Sequence, residues 1–289
     1  MRNRFAAFVL CLTFMLSAGL AAAETHTTDP SRYTVAIVPF YSPEKIWLLY
    51  TPLIEHLKAA TGLPWELKLY HNHNALIADI CSGQVAVSLL GPVPLGRAHA
   101  KCKAEPFLVA LGRDGKPTYR SVILTGDYTV MDLDGVRGKK FGLFRGSTAA
   151  HILPLKMLKD AGLDAKSFEE VFLESQDRIM TALLTKEIAA AGVKDSLYLK
   201  FRGETLRELK TSEPLPNFAF CAIPSLPAET RKLFSSTLLK LHPQTNAKDA
   251  ATVKGWDDEI RNGFMLPAKD FLPSVMRLRQ IYKEVLHED

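Results

Sequence analysis

The sequence predicts an α/β fold of two lobes, with mixed sheets flanked by helices and a hinge between the lobes. Short apolar segments typical of strands alternate with amphipathic segments typical of helices from Tyr33 onwards. This alternation is the pattern of parallel sheets with right-handed crossovers. A polar, turn-rich stretch at residues 112–117 interrupts the pattern, which then restarts. Two α/β units separated in this way imply two lobes that face each other across a cleft.

The first unit contains four predicted strands and three predicted helices. Ser42 and Pro43 are typical of a helix start, and Thr61–Gly62 is typical of a helix end. The predicted strands are Tyr33–Phe40, Trp65–Tyr70, Val85–Leu90 and Phe107–Leu111, and the helices follow Ser42, cover Asn74–Ser82 and run from Pro92 to about Lys103.

The second unit continues the alternation, and the chain then becomes mostly helical from Leu226. Its predicted strands are Tyr119–Thr125, Lys140–Phe144, Phe168–Leu173 and Ile188–Ala191, and its predicted helices are Ser147–Ala161 and Asp177–Lys186. We therefore expect a signal peptide at residues 1–23, the first part of lobe 1 at 24–116, lobe 2 at 117–218, and a return to lobe 1 with C-terminal helices at 219–289.

The first 23 residues have the features of a cleavable signal peptide. Arg2 and Arg4 form a positive n-region, Phe5–Leu20 is almost wholly apolar, and Ala21–Ala23 supply the small residues of a cleavage site. An uncleaved signal anchor is the alternative, but the apolar run is short for a membrane span. We expect a soluble protein that is exported to the periplasm.

The composition excludes several classes of function. The chain of 289 residues is 47% hydrophobic and 23% charged, which is ordinary for a globular protein. Cleavage removes Arg2 and Arg4 and no acid, so the formal net charge falls from +5 to +3. Lysines and arginines are dispersed among acids, which argues against nucleic-acid binding. No cofactor is expected. No metal is expected either, because His71 and His73 alternate on an extended segment and point apart, and no nearby cluster of acids or thiols completes a site.

The segment Phe144–Ala150 gives the clearest local signal, since it follows a predicted strand and opens a predicted helix. Gly146 permits a tight turn. Ser147 and Thr148 place hydroxyl donors beside the first unpaired N–H groups of the helix. Such a turn favours oxyanions, because donors converge there and the helix dipole favours negative charge. The alternative is that Ser147 only caps the helix.

Enzymatic activity is not expected from these residues. Ser147 and His151 are the residue types of a nucleophile and a base, but no third residue is evident that would orient them.

Four segments carry a resemblance to a known family: Tyr50–Leu63, Leu76–Pro92, Gly115–Phe141 and Gly146–Gly162. In order and spacing they are similar to the phosphate/phosphite/phosphonate-type periplasmic solute-binding proteins of ABC transporters. The resemblance covers roughly Tyr33–Pro227. It implies the type 2 periplasmic-binding fold, in which two lobes close around a small oxyanion.

The resemblance also implies ligand contacts at Tyr119, Ser147, Thr148, Ala149 and His73. Ser147 and Thr148 match the family's Ser-Thr-Ser turn, where Ala149 keeps only the backbone N–H. Tyr119 matches a pocket tyrosine, and His73 lies where relatives often place another. An imidazole there would donate to an oxyanion and respond to pH. The alternative for His73 is an exposed loop position.

Three positions depart from the family's pattern. Gln176 replaces a histidine and is a further expected ligand contact. Ala189 aligns with an acid near the end of a short strand. Loss of these two groups argues against a ligand that carries an amine. Arg145 either adds positive charge near the turn or points to solvent.

Three cysteines remain after cleavage of the signal peptide. Cys81 and Cys102 end successive predicted helices that feed neighbouring strands, so a disulfide between them is expected if their Cα atoms are close enough. Cys221 lies in an apolar strand and is expected to be a buried free thiol. The alternative for Cys221 is a thiolate ligand for arsenite.

The sequence therefore predicts a monomeric substrate-binding component of an ABC transporter for a small oxyanion, with a permease as its partner. The alternative is a periplasmic sensor, for arsenite or another oxyanion, that regulates a membrane histidine kinase. Both functions need the same closure, so the sequence does not separate them.

Overall fold

The computed structural model describes residues 33–38, 41–201 and 205–287. The predicted signal peptide at residues 1–23 lies outside these ranges. The strands are β1 (Tyr33–Ile37), β2 (Trp65–Leu69), β3 (Val87–Leu90), β4 (Glu105–Ala110), β5 (Thr118–Tyr119), β6 (Ser121–Thr125), β7 (Lys140–Leu143), β8 (Glu169–Phe172), β9 (Ala190–Lys194), β10 (Arg207–Thr211), β11 (Leu215–Pro216), β12 (Ala219–Ala222) and β13 (Phe264–Met265). The α-helices are α1 (Pro43–Thr61), α2 (His73–Cys81), α3 (Pro92–Cys102), α4 (Leu153–Asp160), α5 (Gln176–Leu184), α6 (Asp195–Lys200), α7 (Ala228–Leu239), α8 (Ala247–Thr252) and α9 (Phe271–Leu286).

Two mixed sheets form the two halves of the molecule, as the sequence predicts. The first has the order β13-β4-β12-β3-β1-β2, with β1 parallel to β2 and β3, and β12 antiparallel to β3 and β4. The second has the order β10-β6-β9-β7-β8 and draws only on residues 121–211. A short antiparallel ribbon of β5 and β11 joins them. We call the boundary between the two halves the seam.

An aromatic cluster helps to fix the first half. The Phe234 ring on α7 lies 5.1 Å from that of Trp65, 5.6 Å from that of Phe107 and 5.0 Å from that of Phe220. These rings belong to β2, β4 and β12, so α7 packs across one face of the sheet. Burial of such large apolar side chains stabilises the fold by about 2 kcal/mol each.

The helix predicted over Ser147–Ala161 begins differently from expectation. Its first turn, Thr148–Ile152, is π-helical, and α4 starts only at Leu153. Pro154 has no N–H to donate to the carbonyl of Ala150. That carbonyl instead accepts a bond from the backbone N–H of Phe144 at 2.8 Å. Because the α-helical hydrogen bond to Pro154 is missing, the first turn adopts π-helical geometry, and the Ala150 carbonyl bonds to the preceding loop instead.

Other differences begin at the fourth predicted strand of the second unit. The strand predicted at Ile188–Ala191 is wrong in its bounds, because β9 covers Ala190–Lys194. Helix α6 and strands β10, β11 and β13 have no counterpart among the predicted elements. Of the described helices, none is long and apolar enough to cross a bilayer.

The cysteines lie in two different environments. Cys81 and Cys102 form a disulfide that ties together the carboxyl ends of α2 and α3. Cys221 is fully buried in β12, where burial raises the pKa of its thiol to about 12. A thiol that resists ionisation is a poor ligand for a soft ion, so the structure argues against Cys221 as an arsenite ligand.

Candidate functional site

The turn at residues 145–149, which we call the cradle turn, lies on the seam. The Thr148 hydroxyl oxygen accepts a hydrogen bond from the backbone N–H of Val93 at 2.9 Å. Val93 is in the first turn of α3, and Thr148 opens the π-helical turn. Two helix N-termini from opposite halves therefore meet at the cradle turn. The oxyanion site that the sequence predicts is at this turn.

His73 supports the cradle turn from the first half of the molecule. It is the first residue of α2 and only 6% exposed, so the alternative of an exposed loop histidine is wrong. Its Nδ1–H donates to the carbonyl oxygen of Arg145 at 3.2 Å. Gly146 has φ +79°, and a Cβ on it would lie 3.1 Å from Nδ1 of His73. Glycine is thus required here by both its conformation and its neighbour.

A second buried histidine supports the same turn from the other side. Nδ1 of His151 accepts a hydrogen bond from the backbone N–H of Gly146 at 3.1 Å, so this nitrogen carries no proton. Burial lowers the pKa of His151 to about 4, and the positive charge of Arg145 and the neighbouring His73 add to the effect. Burial likewise lowers the pKa of His73 to about 4. Both imidazoles are neutral at neutral pH.

Ser147 and Ala149 have structural partners within the second half. The Ser147 hydroxyl oxygen accepts from the backbone N–H of Ala150 at 3.2 Å, which is the capping role, and its hydroxyl proton is left to donate. The carbonyl oxygen of Ala149 accepts from the Ser121 hydroxyl at 2.7 Å. Ser147 and His151 are therefore not joined as nucleophile and base.

Tyr119 lies beside the cradle turn on strand β5. Its hydroxyl is buried and, among the described residues, has no hydrogen-bond partner of ordinary geometry. Burial raises the pKa of this hydroxyl, and the nearby Thr148 side chain offsets the effect only in part. A buried, protonated hydroxyl that makes no hydrogen bond can donate to an acceptor on a bound ligand, and doing so would remove the cost of leaving it unpaired.

Gln176, an expected ligand contact, is buried and contacts a residue that the sequence did not single out. Its Oε1 accepts from the backbone N–H of Lys194 at 3.0 Å. Lys194 is the last residue of β9, so the position near the end of this strand belongs to Lys194 and not to Ala189. Ala189 precedes the strand, and its carbonyl accepts from Thr125 Oγ1 at 2.6 Å.

The Lys194 ammonium group is buried and crosses the seam. It pairs with the Glu259 carboxylate and donates to Asn217 Oδ1 at 3.0 Å. It also lies 4.3 Å from the centre of the Tyr119 ring. Ser196 at the start of α6 donates to the same carboxylate at 3.3 Å.

Two further ion pairs cross the seam near Lys194. Lys200 pairs with Asp258 at 2.8 Å and donates to the Tyr41 hydroxyl at 2.8 Å. Lys45 pairs with Asp177 at 3.0 Å. These contacts show that the two halves are in direct contact along the seam, which is a closed arrangement.

Asp257 is the most deeply buried acid in this group. Its Oδ1 accepts from the backbone N–H of Glu259 at 3.0 Å and from the Tyr50 hydroxyl at 3.4 Å. Burial raises its pKa to about 6, and the negative charge of Glu259 adds to the shift. A cavity of about 320 Å³ opens beside this group and the β5–β11 ribbon, lined in part by Tyr119, Lys194 and Glu259.

Arg145 does not add its charge to the inside of the turn. Its guanidinium group lies 3.5 Å from the centre of the Phe172 ring, and the residue is exposed. Of the two alternatives, the structure shows the solvent-facing one.

Among the described residues, no group of three or more His, Cys, Asp or Glu could hold a metal ion.

Most of the chain matches a known protein family. Residues 35–264 match the family described as the periplasmic substrate-binding protein of a phosphonate ABC transporter. The chain belongs to that family. Its members are substrate-binding components of ABC transporters rather than enzymes, and they function in the periplasm.

Solved structures of other proteins agree with the fold. A binding-protein component of an ABC phosphonate transporter from Pseudomonas aeruginosa is 17% identical, with a TM-score of 0.75 over 90% of this chain and 88% of that one. PhnD1 from Prochlorococcus marinus in complex with methylphosphonate is 13% identical, with a TM-score of 0.76 over 90% and 100%. XAC2383 from Xanthomonas citri bound to chloride ion is 14% identical, with a TM-score of 0.75 over 90% and 100%. The chain therefore has the type 2 periplasmic-binding fold.

Sequence reasoning missed Lys194, Asp257 and Glu259. A lysine at the end of an apolar strand, in Ala190–Lys194, is a signal that could have been used, because such a charge needs a partner. The run Asp257–Glu259 has the composition of an exposed acidic surface, and no local feature of the sequence distinguishes it from one.

Proposed function

We propose that the chain captures a small phosphonate-like oxyanion at the cradle turn, within the closed seam, and delivers it to the permease of an ABC transporter. The contact between Thr148 and Val93 is the observation that carries this proposal. It supports a site where polar groups from both halves of the molecule reach the same point.

Neutral donors make this end of the seam suitable for an anion. The first N–H groups of α2, α3 and the π-helical turn carry the positive ends of their helix dipoles. The hydroxyls of Ser147, Thr148 and Tyr119 each have a proton to donate. Thr148 and Val93 are hydrogen-bonded to each other, and an oxyanion would exchange that bond for several bonds to its own oxygens.

Gln176 and His73 act around this centre rather than at it. Gln176 positions the end of β9 through the N–H of Lys194. His73 holds the carbonyl of Arg145, which fixes the peptide that leads into the turn. Both are arranged to keep the donors oriented before the ligand arrives, which reduces the entropy lost on binding.

The lobes and the route of export complete the proposal. We take the ribbon of β5 and β11 as the hinge, so that lobe 2 lies between its two strands in sequence. Residues 1–23 would be removed as a signal peptide during export. The mature protein would then bind free ligand as a monomer and carry it to the permease.

Isothermal titration calorimetry with methylphosphonate, phosphite and phosphate tests the proposal. Each lost hydrogen bond to a charged group costs about 1.5–3 kcal/mol. We therefore expect Ser147→Ala with Thr148→Val to weaken binding of the preferred anion by about 10² or more. Thr252→Val on α8 is the matched control, since its hydroxyl only contacts the helix backbone. Unchanged affinity in the double variant would refute the cradle turn as the site.

A further inference from the structure

A groove with a strongly positive lining lies on the first half of the molecule, where α2, α3 and α9 meet. Its volume is about 340 Å³, which is within the range of small-molecule sites of roughly 300–1,000 Å³. All its lining residues come from these three helices. The polar and aromatic ones are Asn74, Arg97, Lys101, Arg279, Tyr282 and Lys283.

Four cations line this groove, and its lining in the part of the chain that the structure describes contains no acid. Among the described residues, none of Arg97, Lys101, Arg279 and Lys283 has a carboxylate partner within ion-pair distance. Arg97 donates to Asn74 Oδ1 at 2.7 Å, and its guanidinium group lies 4.9 Å from the centre of the Tyr282 ring. Because the four cations line the same groove, they repel one another, and a bound anion would reduce this repulsion.

Helix dipoles account for only two of the four cations. Lys101 and Lys283 lie in the last turns of α3 and α9, where positive charge stabilises the helix end. Arg97 and Arg279 are farther from the helix ends and come together because α3 and α9 pack closely. A Cβ on Gly96 would lie 2.9 Å from Cβ of Arg279. The close packing therefore brings an arginine from each helix to one concave surface.

We propose that this groove binds a soluble anion with two or more charges carried on phosphate groups, at a second site separate from the cradle turn. Several cations on two facing helices suit a multiply charged ligand, since one negative charge would leave most of them uncompensated. Arginine and lysine are also the side chains that bind phosphate oxygens most strongly.

The surroundings of the groove favour a soluble ligand over a lipid headgroup. Insertion into a membrane surface needs exposed apolar side chains beside the basic residues. The large exposed hydrophobic residues of the described chain lie outside the groove lining: Trp47, Leu48, Tyr128, Met131, Leu199, Leu233 and Leu266.

Pyrophosphate is a suitable probe, titrated by calorimetry and by backbone amide NMR into the Ser147→Ala/Thr148→Val protein. This background keeps the cradle turn from contributing to the signal. We expect binding that weakens as salt rises, with chemical-shift changes at residues 97, 101 and 279. Adding Lys101→Gln and Arg279→Gln should weaken binding at least tenfold. Lys232→Gln with Lys240→Gln on α7 and at its end makes the same change in charge and should alter binding less than twofold.

Three results would overturn the proposal. The first is pyrophosphate binding that is the same with and without the groove substitutions. The second is absence of pyrophosphate binding at millimolar concentration and low salt. The third is binding to phosphatidylglycerol vesicles without binding to pyrophosphate, which would assign the groove to a membrane surface. Because the cradle turn is already altered, none of these results depends on whether the proposed function is correct.

Discussion

The two ends of the seam are built from different chemistry. At the cradle end, His73, Val93 and the turn at 145–149 meet through hydrogen bonds between neutral groups. At the ion-pair end, Lys194 and Lys200 meet the acids of the segment Asp257–Glu259. Both ends join the same two halves of the molecule.

This difference assigns recognition of the ligand and closure of the lobes to different ends of the seam. At the ion-pair end, acids of the protein itself neutralise the cations. The electrostatic potential that remains to attract a charged ligand is therefore small. At the cradle end, the hydrogen-bond partners that the described residues offer to the helix N-termini and hydroxyls include no anion, so the field of the dipoles is available to an oxyanion. We infer that the ion-pair end holds the lobes together and the cradle end selects the ligand.

The largest effect is expected from breaking the buried ion pair. Lys194→Ala leaves the Glu259 carboxylate buried without its cation, which should lower the free energy of unfolding by about 3–5 kcal/mol. Urea denaturation measures this value. Lys194→Met with Glu259→Gln removes both charges and should recover most of the loss. A loss below about 1 kcal/mol in the single variant would mean that this end does not hold the lobes together.

Acid should weaken the cradle end and strengthen the ion-pair end. His73 and His151 have pKa values lowered to about 4, so their contribution is present above about pH 6.5 and is lost as pH falls towards 4. Asp257 has a pKa raised to about 6, so its contribution is present below about pH 4 and is lost as pH rises through 6.

The measurement is the free energy of unfolding between pH 7 and pH 5. We expect each buried histidine to account for a loss of roughly 2 kcal/mol over this interval. His73→Asn keeps a donor for the carbonyl of Arg145 and should make the loss smaller by that amount. Asp257→Asn should make the acid loss larger, because the wild-type acid gains stability as pH falls. Identical slopes in wild type and His73→Asn would show that His73 is not held neutral at the seam.

A smaller effect is expected from one methyl group at the cradle end. Gly146→Ala strains a left-handed residue, at a cost of about 1–2 kcal/mol, and also crowds Nδ1 of His73 at 3.1 Å. Gly138→Ala is the matched control, because Gly138 has φ +70° and no atom within 4 Å of an added Cβ. Both variants should lose similar backbone stability, but only Gly146→Ala should weaken anion binding, by tenfold or more. Equal binding in the two variants would contradict the role given to this turn.

The smallest effect is expected from the exposed ion pair that crosses the seam. The side chains of Lys45 and Asp177 are 44% and 29% exposed, so Lys45→Gln should change the free energy of unfolding by less than about 1 kcal/mol. Urea denaturation at low and high salt checks this value. A larger loss would mean that closure depends on surface charge as well as on the buried pair.

The sequence was sufficient for the order of the main strands and helices as far as β9 and for the position of the cradle turn. Helix caps, apolar strands and Gly146 are local signals, and they placed Ser42, Gly62 and Ser147 correctly at the ends of helices. The partners across the seam were not predictable in the same way. Thr148 and Val93 are 55 residues apart and Lys194 and Glu259 are 65 apart, and nothing in the local sequence of either pair specifies the other member.

The π-helical turn shows where local rules fail. Ser147 and the residues after it have an ordinary helix start, and only the missing N–H of Pro154 together with the bond from Phe144 to Ala150 changes the first turn. The end of β9 was misplaced because a run of small residues, Ala189–Gly192, gives no periodicity that fixes its bounds.

A crystal structure of the protein with methylphosphonate tests most directly whether an anion is held by neutral donors at the cradle end. We predict phosphonate oxygens at about 2.7–3.0 Å from the hydroxyls of Ser147 and Thr148 and from the backbone nitrogen of Ala149. The bond between Thr148 and Val93 should be replaced by bonds to the ligand. A ligand found instead in the cavity beside Lys194 and Glu259, with the Thr148 bond intact, would contradict the account.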